Sequence, residues 1–329
     1  MPSRTVKTGS RRCTRRQFLG AASAAALSPW PRVALAQASS DRPAPWWLEV
    51  GGGKSRVVEV RSDRAVAGAI DLFVIRDMLD RGLASLTGAT GRDGWKKVLG
   101  DARRIVIKLN QVGWDVIGAG EPLARALVSS LGAGGYSAAE IALVEAPQHL
   151  SKSLGARPPE EGWSDAIPVG TRMESLAAYV TAADAIINVG FLKTHQIAGY
   201  SGAMKNISHA VIRRPGLYHA DGCAPFVGQI ITAPPVASRL RLNVLNALRV
   251  VVEHGPDARE EDVFDQGSVL MAFDPLALDT AGLGALEGAR RRRGLSTGLR
   301  VPYLISAAET GCGRWQPEEV DRILIEPDR

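Results

Sequence analysis

The chain has 329 residues, of which 45% are hydrophobic and 22% are charged, and its formal net charge at pH 7 is +6. This composition supports a sizeable core and excludes an intrinsically disordered protein. Seven of the 40 Lys and Arg residues lie in residues 1–38, which contain no Asp or Glu, so the remainder of the chain has a net charge of −1. The basicity therefore belongs to the N-terminal segment, and net charge gives no support for a nucleic-acid partner.

Residues 1–38 have the charge and hydropathy profile of an export signal. Basic residues precede the apolar run 18–27, which is shorter than the roughly 20 residues that span a membrane, and small-x-small cleavage sites end at Ala36 and Ala38. Within this segment, Thr14-Arg15-Arg16-Gln17-Phe18-Leu19 resembles the twin-arginine signal. The resemblance implies export of the folded protein by the Tat translocase, a periplasmic or otherwise extracytoplasmic location, and no stable membrane span after signal cleavage. An ordinary secretory signal that carries two arginines is the alternative.

Residues 39–56 are predicted to be a linker or N-terminal arm whose two tryptophans pack on the domain, and residues 57–329 are predicted to form an α/β domain. Apolar runs predict strands at 57–60, 105–109, 141–144, 185–189 and 269–273, and helical patterns cover about 71–82, 121–132, 172–183, 236–252 and 275–292. Their alternation predicts a single α/β domain with a mostly parallel or mixed sheet and helices on both faces.

Two basic motifs are explained without a ligand. Gly53-Lys54-Ser55 ends like a phosphate-binding P-loop, but Leu48 stands where the first glycine is required. The run Arg290-Arg291-Arg292-Arg293 before a glycine is typical of a solvated helix terminus, rather than of a nucleic-acid site. Whether Cys223 and Cys312 form a disulfide is left open by the sequence.

The densest group of reactive side chains lies between residues 188 and 223, after a predicted strand, and ligands of open α/β sheets bind beyond the carboxyl ends of strands. We predict Lys193 and His195 as catalytic residues, with the imidazole as the general acid or base. A predicted helix N-terminus after Ser201-Gly202, together with Lys193 and Lys205, would hold a small anion. The predicted ligand-binding residues are Asn110, Thr194, Ser201, Gly202, Lys205 and Asn206.

A transition-metal site is predicted at His219, Asp221 and Cys223, which together offer imidazole, carboxylate and thiolate donors. An exposed His219 beside a structural Cys223 is the alternative. His149, His195 and His209 also lie at or after predicted strand ends or in the reactive segment, and Asp279 would orient a histidine, help to hold a metal or act with Asp274 as a helix cap. The sequence contains no Cys-x-x-Cys, which excludes a cluster held by four cysteines of this chain.

Several motifs together resemble the family called domain of unknown function 362, over about residues 100–315. They are Ile107-Lys108-Leu109-Asn110, residues 184–195 with Lys193-Thr194-His195, residues 202–206 with Met204-Lys205-Asn206, His219, Gly255-Pro256 and residues 274–279. The resemblance implies an α/β domain that in many relatives is associated with iron–sulfur or redox contexts. It therefore implies a transition metal or an iron–sulfur-linked redox group as the cofactor.

We therefore expect an exported, cofactor- or metal-dependent redox enzyme that acts on a small anionic ligand and has no nucleic-acid partner. One alternative is a non-catalytic periplasmic protein that binds a metal or an anion. The other is a maturation factor for another exported enzyme.

Overall fold

The computed structural model of the chain describes residues 44–50 and 53–326. The strands are β1 (Ser55–Arg61), β2 (Ile105–Lys108), β3 (Ile141–Val144), β4 (Trp163–Val169), β5 (Arg172–Ala177), β6 (Ala185–His195), β7 (Gly199–Ser201), β8 (Leu240–Val251), β9 (Val263–Ala272) and β10 (Val320–Ile325). The helices are α1 (Leu72–Thr87), α2 (Gly91–Leu99), α3 (Trp114–Ile117), α4 (Gly120–Ala133), α5 (Gln148–Leu154), α6 (Ala178–Ala182), α7 (Ala203–Ala210), α8 (Phe226–Ile231), α9 (Pro234–Ala237), α10 (Pro275–Arg292) and α11 (Pro302–Glu309).

The central sheet has the strand order β10-β1-β9-β8-β6-β2-β3, with β7 paired to β6. The pairs β3/β2, β2/β6, β6/β8 and β1/β10 are parallel, whereas β8/β9, β9/β1 and β6/β7 are antiparallel. Strands β4 and β5 form a separate antiparallel pair. The predicted α/β class with a mostly parallel, mixed sheet is therefore confirmed.

Helices cover both faces of the sheet. Successive side chains of a strand point to opposite sides, so two neighbouring residues of β8 show what packs on each face. In β8, Val244 belongs to the apolar cluster that contains residues of α1, α2 and α4. A Cβ added at Gly282 of α10 would lie 2.5 Å from Leu245, the next residue along β8. Both residues are buried, so the strand packs against helices on each face.

Two predicted helices are wrong. Residues 172–183 form β5 followed by the short helix α6, and most of residues 236–252 form β8. In β8 nearly every side chain is buried, which removes the alternation of polar and apolar residues that would have marked a strand. The buried amides of Asn243 and Asn246 donate hydrogen bonds to the carbonyls of Phe273 and Ala119.

Two tryptophans of the predicted N-terminal arm pack on the domain. Trp47 is buried and its indole donates to the Cys312 carbonyl at 2.8 Å, while the indole of Trp46 donates to the Leu240 carbonyl at 3.0 Å. The predicted export signal, residues 1–38, lies outside the described residues. Among the helices that are described, none is long and apolar enough to span a bilayer.

Three further side chains, those of Arg290, Cys223 and Cys312, are buried. Arg290 is buried and donates to the carbonyls of Val252 and Ser296, so the predicted solvated helix terminus holds only for the exposed arginines that follow it. Cys223 and Cys312 are both buried free thiols, so no disulfide joins them.

Candidate functional site

A cleft of about 250 Å³ opens where the carboxyl ends of β2, β3 and β6 meet α7. We call it the lysine cleft. Its lining residues are Lys108, Asn110, Val112, Glu145, Lys193, His195, Ser201, Lys205, Asn206, His209, Ala210, Pro215, His219 and Pro256. It thus brings together three lysines and three histidines with a single carboxylate. The predicted residues Lys193, His195 and Lys205 all line this one cavity.

Lys193 projects from β6 into a buried environment. Its Nζ donates to the Val112 carbonyl at 2.7 Å and to Asn110 Oδ1 at 3.4 Å. Burial lowers the pKa of Lys193 to about 7, and the like charges of Lys108 and Lys205 act in the same direction. A substantial fraction of this amine is therefore neutral near pH 7. The two hydrogen bonds use the two protons of the neutral amine and leave its lone pair for a proton from a ligand.

Lys108 ends β2 and is also buried. Its Nζ lies 3.3 Å from Glu145 Oε2 and donates to the backbone carbonyl and side-chain oxygen of Asn206. Burial lowers the pKa of Lys108 to about 8, although the carboxylate of Glu145 opposes this effect. Glu145 follows β3 at a φ of 55°, a left-handed conformation that is uncommon for a residue other than glycine. Such strained residues cluster at functional sites.

The imidazole of His195 is held by backbone groups. Its Nδ1 accepts hydrogen bonds from the N–H groups of Ile197 at 3.2 Å and Ala198 at 3.3 Å. Because a backbone N–H can only donate, Nδ1 carries no proton, and the neutral ring carries its proton on Nε2. Burial lowers the pKa of His195 to about 3, assisted by Lys205, His219 and Lys193. At neutral pH this ring is a hydrogen-bond donor at Nε2, not a base.

One part of the predicted anion site is wrong, because the first N–H groups of α7 are not free to bind an anion. The backbone N–H groups of Ala203 and Met204 donate to the two carboxylate oxygens of buried Asp279, at 2.6 Å and 3.0 Å. A Cβ added at Gly202 would lie 2.4 Å from Asp279 Oδ1, so glycine is required for this close approach. Asp279 therefore caps a helix other than its own, while Asp274 caps α10. Burial raises the pKa of Asp279 to about 7.

Two other predicted ligand-binding residues have structural roles. The hydroxyl of Thr194 accepts a hydrogen bond from the Gly255 N–H at 3.1 Å, and this residue lies on the opposite side of β6 from its neighbours in the cleft. The amide of Asn206 donates to Asn188 and to the Val189 carbonyl, and its oxygen accepts from a lysine. Asn206 therefore positions Lys108, and its side chain is not available to bind a ligand.

Asn110 and Ser201 remain in position to contact a ligand. Both line the lysine cleft. Asn110 Oδ1 accepts from the Val112 N–H at 3.0 Å and from Lys193, whereas its amide nitrogen makes no hydrogen bond to any residue that the structure describes. The Ser201 hydroxyl is likewise without a hydrogen bond within the described part of the chain.

The predicted metal ligands are only partly brought together. Asp221 is exposed and does not join the group. His209 takes its place, because ligand atoms of His209, His219 and Cys223 all lie within 4.8 Å of one another. We call these three residues the His–His–Cys cluster. Lys205 adjoins it, with Nζ 3.3 Å from His219 Nε2.

The ring nitrogens of the cluster are oriented by neighbouring oxygens. His219 Nδ1 lies 3.1 Å from the Pro215 carbonyl, which can only accept, so this nitrogen carries the proton and Nε2 has the lone pair. His209 Nδ1 lies 3.0 Å from the Ser208 hydroxyl, which itself donates to the Lys205 carbonyl. Burial lowers the pKa of His209 to about 2, an effect that the backbone of Tyr218 opposes.

Three site residues were missed or unassigned from the sequence. Lys108 and Glu145 end or follow different strands, β2 and β3, and His209 lies at the end of α7. Lys108 and Glu145 could have been predicted from their positions at the carboxyl ends of two strands, because a parallel sheet brings such ends to one edge. His149, by contrast, is exposed and pairs with Glu121 outside the cleft.

Residues 123–284 match the family model described as "Domain of unknown function (DUF362)". The match supports this family. Among solved structures, the chain is similar to the lactate racemase apoprotein from Thermoanaerobacterium thermosaccharolyticum, with 11% sequence identity and a TM-score of 0.40. The similarity covers 74% of this chain and 58% of the racemase apoprotein. This chain therefore spans less than two thirds of the length of the racemase apoprotein. No curated protein sequence matches the chain.

Proposed function

We propose that this protein is an enzyme that binds a small organic anion in the lysine cleft and moves a proton between that anion and Lys193. The observation that carries the proposal is the charge of the cleft. Three buried lysines, Lys108, Lys193 and Lys205, face one carboxylate, that of Glu145. Burying excess cationic charge is costly unless a counter-ion compensates it, and an anionic ligand supplies that counter-ion.

The cleft volume favours a small ligand. About 250 Å³ is below the roughly 300–1,000 Å³ of pockets that accept drug-sized molecules. The polar groups that line it, including the Asn110 amide and the Ser201 hydroxyl, favour a carboxylate with few further atoms. Lys205 would bind the carboxylate, and the positive charge of protonated Lys108, whose three donors point to Asn206 and Glu145, would attract it.

Lys193 is the better candidate for the base, because its pKa of about 7 matches a group that accepts and returns a proton at neutral pH. In the proposed step, the neutral amine takes a proton from a carbon atom next to the carboxylate and becomes an ammonium ion. The electron pair of the broken C–H bond moves onto the carboxylate, where the Nε2–H of His195 stabilises the developing charge. Return of the proton reverses the step and needs no other reactant.

The role first expected of His195 changes accordingly, from a general acid or base to a neutral hydrogen-bond donor. The redox activity expected from the sequence remains a prediction, since the cleft side chains just described carry protons rather than electrons. Export through the twin-arginine route also remains a proposal. Its support is the sequence of residues 14–19 and the basic, acid-free segment around it.

Hydrogen–deuterium exchange at carbon tests the proposal without knowledge of the natural substrate. The full chain would be incubated in D2O with a panel of two- to four-carbon carboxylates, and loss of C–H signals would be followed by NMR. We expect exchange with at least one member, lost in Lys193→Met, whereas Lys152→Met on the exposed surface of α5 retains it. Binding of the same carboxylate, measured by calorimetry, should survive in Lys193→Met.

A non-catalytic anion-binding protein is the second candidate, and the three-lysine charge favours it equally. It predicts carboxylate binding with no exchange in any variant. Loss of binding in Lys205→Met with exchange absent throughout would support this candidate. An absence of carboxylate binding to the wild-type chain would contradict both candidates.

A further inference from the structure

The His–His–Cys cluster lies beside the lysine cleft and supplies three metal-binding atoms from two chain segments. His209 is in α7, whereas His219 precedes the 3-10 turn Ala220–Cys223 and Cys223 is its last residue. Cys223 is completely buried and has a φ of 68°. The fold therefore holds this cysteine in an unfavourable backbone conformation with its sulfur beside two imidazoles.

His209 supplies an independent sign of an unmet interaction. Its Nε2 atom is buried and has no hydrogen-bond partner within the described residues. Buried polar atoms nearly always have a partner, so such an atom requires an explanation. Its Nδ1 donates to the Ser208 hydroxyl, whose own proton goes to the Lys205 carbonyl, so Nε2 carries a lone pair.

His219 is oriented in the same way, and this orientation is typical of metal-binding histidines. Such histidines generally donate their other ring N–H to a backbone carbonyl or a carboxylate. His219 donates its Nδ1–H to the Pro215 carbonyl at 3.1 Å, which leaves Nε2 as the ligating atom. One ring nitrogen of each histidine lies within 4.8 Å of the other and of the Cys223 sulfur, and in both rings Nε2 is the nitrogen without a proton.

We propose that His209, His219 and Cys223 bind a zinc-class transition-metal ion through two imidazole nitrogens and one thiolate. In a tetrahedral zinc site, metal–ligand bonds of about 2.0–2.3 Å separate the ligand atoms by roughly 3.3–3.7 Å. The present separations reach at most 4.8 Å, so inward side-chain shifts of about 1 Å form the site. Three protein ligands leave a fourth position, which is the arrangement of catalytic rather than structural zinc sites.

Lys205 opposes the entry of a metal ion into the His–His–Cys cluster. Its Nζ lies 3.3 Å from His219 Nε2, the atom that would bind the metal. The lysine must leave this position before the ion enters, and the lysine cleft, which it also lines, is the adjacent volume. Replacing Lys205 by methionine should therefore strengthen metal binding, because it removes a competing positive charge. We expect at least a tenfold decrease in the Kd for Zn²⁺.

The test uses the full chain with Zn²⁺ alone in calorimetry and Co²⁺ alone in absorption spectroscopy. One ion should bind per chain, and Co²⁺ should produce a thiolate-to-cobalt charge-transfer band. We expect His209→Ala and Cys223→Ser each to weaken Zn²⁺ binding by more than about 100-fold, beyond the effect usual for an outer-shell residue. Asp221→Asn is the matched control in the same segment, and it should bind Zn²⁺ as tightly as the wild type.

Several results would overturn the proposal. They are no ion bound to the wild-type chain, Co²⁺ bound without the charge-transfer band, or Asp221→Asn weakened as much as His209→Ala. The spectrum of the wild type requires no variant, so it decides the matter even if Cys223→Ser fails to fold. Because the anion assay uses carboxylates and this one uses metal alone, either proposal can fail while the other stands.

Discussion

Replacing Lys193 by methionine should stabilise the protein at neutral pH and make that gain depend on pH. In the folded chain the pKa of Lys193 is about 7, against 10.5 for an unperturbed lysine. Between these values the unfolded chain binds more protons, so the stability of the wild type rises with pH across this window. The buried amine costs roughly 4 kcal/mol at pH 7 and roughly 2 kcal/mol at pH 9, at about 1.36 kcal/mol for each pH unit.

Methionine avoids this cost, but it leaves the Val112 carbonyl without a donor and removes one of the two donors to Asn110 Oδ1, which keeps the Val112 N–H. That loss is about 1–3 kcal/mol and is the same at both pH values. Removal of the Lys193 charge also removes its repulsion of Lys108 and Lys205, which further stabilises the variant at pH 7. The stability of the variant relative to the wild type should therefore fall by about 2 kcal/mol or more between pH 7 and pH 9.

Urea unfolding of both proteins at pH 7, 8 and 9 measures this difference. Lys152→Met provides the control, because that side chain is exposed, and its difference from the wild type should not change with pH. If the difference in unfolding free energy between Lys193→Met and the wild type stays constant from pH 7 to pH 9, burial does not lower the pKa of Lys193. The charge argument for the anion site would then lose its main support.

Three further changes test separate parts of the structure. Asp279→Ala should destabilise the chain by roughly 2–4 kcal/mol in urea, because two buried N–H groups of α7 lose their acceptor; a smaller loss than 1 kcal/mol would contradict the capping role. Gly202→Ala should lower the thermal midpoint by several degrees, whereas Gly216→Ala, whose added Cβ meets nothing within 4 Å, should not. Replacing Arg15 and Arg16 by lysine keeps the charge but should block export, as judged by cell fractionation; unchanged periplasmic yield would refute the twin-arginine route.

The sequence predicted the parallel half of the sheet well because those strands are short, continuous apolar runs. It failed at β8, where leucine, alanine and arginine favour a helix locally, but burial on both faces imposes a strand. Propensity is a weak guide when tertiary packing opposes it. In the sequence, Asn243 and Asn246 are compatible with the polar face of a helix. In the structure both side chains are buried and donate hydrogen bonds to backbone carbonyls.

The candidate site was predictable where one chain segment supplies it and not where several do. Lys193 and His195 are two positions apart on β6 and both line the cleft, whereas Thr194 between them points to the other side. Lys108 and Glu145 come from other strands, so only the strand order could bring them in. The capping of α7 by Asp279 was equally invisible, since it joins residues that are far apart in sequence.

The pairing of β1 sets a condition on how the chain can fold during its synthesis. This first strand lies between β9 and β10, which begin at Val263 and Val320. Both partners are translated at least 200 residues after β1, so β1 has neither of its native neighbours until then. Native pairing of β1 is possible only after residues 263–325 have been translated, and contacts between such distant segments slow folding.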